Sequence, residues 1–218
     1  MKNNISALIL TRGNKDLSSL KKSLNFCSEI LISEDSKITD FAKARNDLLK
    51  KAKSQWILFL DDDEEVSESL KNEILLVIKD RNLYSGFYLK RENYFLNQYV
   101  GSNKIVRLIK KDSGIWKRKV HEVLKVRGKV GHLKNSLLHH TSRSASEMIN
   151  KINLYSSIHA EENLKEGKKS SIFKIIFFPI LKFFESLFSK RGFVFSLLQS
   201  FHSFLSWSKQ WKLQKDLI

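Results

Sequence analysis

A chain of 218 residues, 42% hydrophobic and 28% charged, can bury a core of its own; this excludes a disordered tail and suits one domain with an appendage. Its single cysteine, Cys27, excludes an internal disulfide framework and a multi-cysteine zinc site, and fits a reducing compartment. A formal charge of +16 excludes an acidic, self-solvating protein and implies an anionic partner: phosphate groups, nucleic acid or an anionic membrane.

Ile5 to Leu10 is an apolar run of strand length, too short for a secretory h-region, and Thr11-Arg12-Gly13-Asn14 ends it. Leu17, Leu20 and Leu24 give Asp16 to Leu24 helical spacing, and Glu29 to Ser33 predicts a second strand, followed by the loop Glu34-Asp35-Ser36. Thr39 is a candidate cap for a helix to about Lys53, with Phe41, Ala44, Leu48 and Ala52 inward. Trp56 to Leu60 is wholly apolar, as a central parallel strand covered on both faces should be. Ser67 starts a further helix whose buried stripe is Leu70, Ile74, Val77 and Ile78. This alternation predicts an α/β fold with a doubly wound, mostly parallel sheet.

Beyond Arg81 the pattern changes: Tyr84 to Lys90, Lys104 to Ile109 and Val120 to Val126 read as strands, and Ser144 to Leu164 as a long helix. The last fifty or so residues are helical and aromatic, with Pro179, the only proline, interrupting them. The positive charge is uneven. Residues 101–143 carry twelve Lys or Arg against Asp112 and Glu122, and residues 165–218 carry ten against three acids.

Asp61-Asp62-Asp63-Glu64-Glu65 follows the most apolar strand directly, at the end of an α/β sheet where ligands bind. Consecutive carboxylates repel, and a divalent cation such as Mg²⁺ or Mn²⁺, shared with substrate phosphates, relieves that repulsion. In extended chain Asp61 and Asp63 point one way and Asp62 the other. Acids favoured by the dipole at a helix start are the alternative, which suits Glu68 and Glu65 better than three aspartates abutting Leu60.

Here the chain resembles the family 2 glycosyltransferases of GT-A fold. Trp56 to Glu64 is similar to their strand and DxD-E signature, Ile5 to Thr11 to their opening strand, and Phe41-Ala42-Lys43-Ala44-Arg45-Asn46 to the segment before the DxD strand. Arg107-Leu108-Ile109, Trp116 with Val120-His121-Glu122, His139 with Lys151 and Tyr155, and Lys190-Arg191-Gly192-Phe193 resemble elements of one branch. That branch contains bacterial lipopolysaccharide-core β-glucosyltransferases. The resemblance implies that Asp63 binds a metal bridging the donor diphosphate, and that Asp61 touches ribose or the same metal. It makes His139 a third metal ligand or diphosphate contact. It implies that Thr11, Asp35, Arg45 and Arg107 serve the donor, with Asp35 facing the nucleobase. Glu122 would be the base that deprotonates an acceptor hydroxyl in an inverting hexosyl transfer. Two local departures are Gly13-Asn14 in place of the usual Asn-Glu after the first strand, and a shorter stretch between Ile32 and Arg45.

Ile172 to Phe184 is broken by Lys174 and Lys182 and falls short of the roughly 20 apolar residues of a membrane span. It suits a helix in the membrane interface with lysines toward anionic headgroups, or a helix packed on the catalytic domain or a second copy. The expected organisation is a GT-A-like catalytic domain, 1–143, and a helical, membrane-associating region, 144–218. The expected function is metal-dependent transfer from a nucleotide-diphosphate sugar, UDP-sugar favoured, to a glycan or lipid-linked acceptor in lipopolysaccharide core or other surface-glycan synthesis. The expected place is the cytoplasmic face of the inner membrane, with no nucleic-acid partner. The alternative is a basic nucleic-acid- or membrane-binding protein on a catalytically inactive GT-A-like fold. A sugar nucleotidyltransferase would need a Gly-rich nucleotide loop that Thr11-Arg12-Gly13-Asn14 does not resemble.

Overall fold

The computed structural model describes residues 3–13, 15–36, 40–79, 83–118, 122–142 and 144–216. The chain forms two compact units, one of Met1–Glu92 with Ser102–His139, the other of Asn93–Gly101 with His140–Ile218.

The first unit opens with β1 (Ile5–Thr11), α1 (Ser18–Ser23), β2 (Glu29–Glu34), α2 (Phe41–Lys51) and β3 (Trp56–Asp61). β1 pairs in parallel with β2 on one side and β3 on the other. β3 is buried from Trp56 to Leu60 and divides its side chains by parity. Trp56, Leu58 and Leu60 enter one core cluster, Ile57 and Phe59 the other. That two-sided burial is what its unbroken apolar sequence encodes. Asp40 caps α2, its carboxylate accepting from the Lys43 N–H at 2.9 Å; Thr39, expected in that role, lies outside the described residues.

After β3 come β4 (Glu64–Val66), α3 (Glu68–Lys79), β5 (Tyr84–Phe95), β6 (Gln98–Lys110), β7 (Gly114–Lys117), β8 (Val123–Val126) and β9 (Lys129–Ser142). Ser67 caps α3 as expected, its Oγ accepting from the Leu70 N–H at 3.2 Å. The main sheet has the order β2-β1-β3-β6-β5-β9-β4, and β7 and β8 pair separately. The sheet is mixed rather than mostly parallel: β6 runs antiparallel to β3, and β4 antiparallel to β9. The physical reason is the connections. Parallel pairing needs a helical crossover, and β5 and β6, neighbours in the sheet, are joined by only two residues, a length that allows antiparallel pairing alone. β5 and β6 meet at Leu96 and Asn97, both at positive φ (48° and 61°), as a two-residue hairpin turn requires. The strand expected over Val120 to Val126 is β8, from Val123; Val120 and His121 lie outside the described residues.

The second unit holds α4 (Ala145–Lys165), α5 (Ile172–Phe188) and α6 (Phe193–Lys215). Ser144 caps α4, accepting from the Glu147 N–H at 3.1 Å, close to the predicted start. α6 packs against both α4 and α5. Pro179 does not interrupt α5: it sits buried inside a continuous helix, where its missing N–H costs one backbone bond without ending the element.

Candidate active site

The three parallel strands end together, with Leu10 opposite Asp61 and Thr11 opposite Glu34, and the candidate site lies at these carboxyl ends. Thr11 Oγ1 donates to Asp62 at 2.8 Å and accepts from the Gly13 N–H at 3.1 Å. Gly13 has φ +84°, which a side chain would strain, so this turn needs its glycine. Lys15 Nζ also bonds Asp62 and stands 3.9 Å from Asp63. Asp35 is exposed just past β2, its backbone N–H donating to the Thr11 carbonyl at 3.2 Å.

The acidic run does not stay extended. Asp61 ends β3, Asp62 and Asp63 form a turn, and Glu64 begins β4. The simple alternation expected from extended chain therefore fails, and each acid meets a different partner. Asp61 is held by Arg45 Nη2 through one oxygen and Arg107 Nη2 through the other. Glu64 has a fully buried side chain and accepts from Arg107 Nη2 at 2.9 Å, Arg91 Nη1 at 3.3 Å and the Asp61 N–H at 3.0 Å. Asp63 Oδ1 lies 3.3 Å from His139 Nε2, and β9 brings His139 there by pairing it with Glu64.

Arg45 joins the two halves of the motif. Its side chain is only 4% exposed; besides Asp61 it reaches Glu122, with Nε donating to Oε1 at 3.3 Å, and it lies 4.8 Å above the Trp116 ring. The strand that carries the ring is itself clamped. Asn46 Nδ2 donates to the Trp116 carbonyl at 2.9 Å, and Asn46 Oδ1 accepts its N–H at 3.0 Å. Trp116 also packs edge-on against Phe59, with centroids 5.2 Å apart. These contacts give a physical meaning to Arg45-Asn46 and to Trp116: one residue binds the carboxylates, its neighbour clamps the strand that supports it.

Burial alone raises the Asp61 carboxyl's pKa, but Arg107 and Arg45 outweigh it and hold that pKa well below the usual carboxylate range. Burial alone would likewise lower Arg107, and Asp61 and Glu64 reverse this and push it up. Arg45 Nη1 and Arg107 Nε are buried without a hydrogen-bond partner. Leaving such donors unpaired is costly, so the two guanidinium groups retain bonding capacity beyond the carboxylates they already hold.

Of the residues predicted from sequence, Arg45, Asp61, Arg107 and Glu122 join one network with Glu64, while Thr11, through Asp62 and Lys15, lies with Asp63 and His139 in a second group beside it. His121 lies outside the described residues. His140, in the second unit, packs toward Tyr94 at 5.9 Å. Among the described residues no three His, Cys, Asp or Glu side chains assemble as a ready metal-ligand set. Sequence reasoning placed Glu64 in the acidic run without giving it a role of its own, and missed Arg91 and Lys15. The signal for Glu64 was Val66 two places on, the same inward parity in a strand too short to read as one.

The mixed α/β architecture, with the site at the ends of its parallel strands, is GT-A-like. Residues 21–128 match the family model described as Glycosyl transferase family 2, so the chain carries a domain of that family over those residues. An uncharacterized glycosyltransferase of Rickettsia felis is 28% identical over 180 residues, covering 72% of this chain and 64% of the relative. A lipopolysaccharide core biosynthesis glycosyltransferase, LpsC, of Rhizobium meliloti is 25% identical over 184 residues, covering 78% and 68% respectively. The solved structure of S. aureus TarS 1-349 aligns with a TM-score of 0.41 at 12% identity, covering 70% of this chain and 64% of that one. The chain spans a little under two thirds of the length of the rickettsial relatives, at 64% and 62% for two of them.

Proposed function

We propose that this chain is an inverting glycosyltransferase. It moves a hexose from a nucleotide-diphosphate donor, a UDP-sugar in first place, to a glycan or lipid-linked acceptor in lipopolysaccharide-core or other surface-glycan synthesis. Residues 1–143 carry the chemistry and 144–218 form a helical region that associates with an anionic membrane, at the cytoplasmic face of the inner membrane. The observation that supports this reading most directly is Arg45, whose one guanidinium reaches both Asp61 at the end of β3 and Glu122 after β7. It links the donor end of the family motif to the candidate base, and family membership over residues 21–128 agrees with it.

The acceptor hydroxyl gives its proton to the Glu122 carboxylate as its oxygen forms the new bond to the anomeric carbon. The bond from that carbon to the diphosphate oxygen breaks, and its electron pair leaves with the nucleoside diphosphate; one displacement inverts the centre. Arg45, Arg107 and Lys15 supply positive charge around the leaving diphosphate, while Thr11 and Asp35 border the nucleoside.

A divalent cation fits one part of this site. Asp63 and His139 are suitable donors and already converge to 3.3 Å, whereas both oxygens of Asp61 are held by guanidinium groups. Asp63 and His139 would therefore hold Mn²⁺ or Mg²⁺, and Asp61 would act through its arginines. When bound, the cation neutralises charge on the diphosphate. The same engagement of Asp61 favours a second reading, an inactive binding protein on this fold. Calorimetric titration with UDP and UDP-sugars, with Mn²⁺ or chelator, separates them. Metal-dependent binding lost in Asp63→Ala supports the transferase; the absence of binding under every condition supports the inactive fold.

A further inference from the structure

α5 and α6 form an antiparallel hairpin: Ser186 bonds Ser196 at 3.0 Å, Phe178 packs on Trp207, and the Ser170 N–H donates to Gln214. Close approach of small residues at Ser186 and Ser196 lets the two helices pack tightly and turns their aromatic side chains outward. On α5, Phe173, Phe177, Leu181, Phe184 and Phe188 are between 46% and 79% exposed. With Ile172, Ile176 and Ile180, these side chains cover about half the helix circumference at 3.6 residues per turn. α6 adds Phe193, Leu197, Phe201 and Phe204, exposed at helical spacing along one face, and Phe193 packs edge-on against Phe183 of α5. Soluble surfaces rarely leave so much contiguous apolar area open.

We infer that the α5–α6 hairpin as a whole, and not α5 alone, is a docking face that lies in the interface of an anionic lipid membrane. No described helix is long and apolar enough to cross a bilayer, so the face rests in the membrane plane. Charge chooses the occupant. Residues 165–218 carry ten Lys or Arg against three acids, and Lys190 and Arg191 sit at the hairpin turn between exposed Phe188 and Phe193. Anionic headgroups attract that surplus, whereas a second copy would bring the same positive charge against it. The apolar face of α5 is also wider than the narrow stripe a helix–helix seam uses. This docking deepens the membrane part of the function proposed above and rests on it.

The test floats the full chain with phosphatidylcholine vesicles containing or lacking phosphatidylglycerol, and weighs it by light scattering without lipid. The expected result is flotation with the anionic vesicles, weakened by added salt, and a monomer without lipid. Phe177→Ser, Phe184→Ser and Phe201→Ser should each lower the partition coefficient onto the vesicles about tenfold, the scale of one lost phenylalanine insertion. These side chains are exposed, so the variants keep the fold, and UDP binding measured in parallel should not change. Flotation without UDP binding supports the docking face while removing the donor-site reading. Failure to float with any vesicle, flotation indifferent to the three variants, or a lipid-free dimer that they dissolve overturns the docking face.

Discussion

Glu64 is the residue on which the candidate site's geometry depends most. Its side chain has no exposure, and it accepts three bonds: Arg107 at 2.9 Å, Arg91 at 3.3 Å and the Asp61 N–H at 3.0 Å. Glu64→Ala removes the carboxylate and leaves Arg107, only 6% exposed, with Asp61 as its remaining acid partner. Removing one member of a buried ion pair costs about 3–5 kcal/mol, against a total stability of about 5–15 kcal/mol. For a chain of this size that is a fall in Tm of about 6–20 °C. Glu64→Gln keeps the shape and one acceptor oxygen, but sets an NH₂ group against either a guanidinium or the Asp61 N–H, at about 1–3 kcal/mol. Urea unfolding followed by tryptophan fluorescence measures both, since Trp56 and Trp116 are buried in the first unit. The expected order is wild type, then Gln, then Ala. If both variants unfolded at the wild-type midpoint, Glu64 would not hold the two arginines.

Three further outcomes follow from the same geometry. Asp61 has a folded pKa depressed by its arginines, so its contribution is full above the unfolded value of about 3.9 and is lost as pH falls through that value toward the folded one. The acid limb of a stability–pH profile should flatten in Asp61→Asn; an unchanged limb would remove the pairing as its cause. Partial burial pushes the Cys27 thiol up to about 12, so it should react with a thiol reagent at pH 8 more slowly in the native than in the unfolded chain. Labelling of the native protein as fast as of the unfolded chain would contradict that burial. Asn46→Ala removes both bonds to the Trp116 backbone and should cost about 1–3 kcal/mol while weakening UDP binding through Arg45; unfolding and titration read the two effects separately.

Sequence made the first half of the fold legible because each of its elements carries a local signal. Trp56 to Leu60 is apolar throughout because both faces of β3 are covered, and Ser67 stands where α3 needs an oxygen at its first turn. β4 could not be read in that way. Its three residues follow two acids in a turn, and Glu64 is buried only because Arg107, 43 residues later, arrives to neutralise it. The clamp from Asn46 to Trp116 spans 70 residues and depends on how β7 meets α2, which no local pattern encodes. Pro179 misled for a related reason: local chemistry breaks a helix there, but burial within α5 keeps it continuous. The switch to antiparallel strands after α3 lay in the connections rather than in the strands, so apolar pattern alone did not reveal it.

The most direct test of the account is release of nucleoside diphosphate from a panel of nucleotide sugars, for wild type, Asp63→Ala and Glu122→Gln, with Mn²⁺, Mg²⁺ or chelator. Water can replace the acceptor in such a reaction, so the acceptor need not be known. The account predicts slow, metal-dependent release from one donor, with UDP-sugars first, abolished in Asp63→Ala and strongly reduced in Glu122→Gln. Release that ignores the metal and both substitutions, or no release and no binding of any donor, would contradict it.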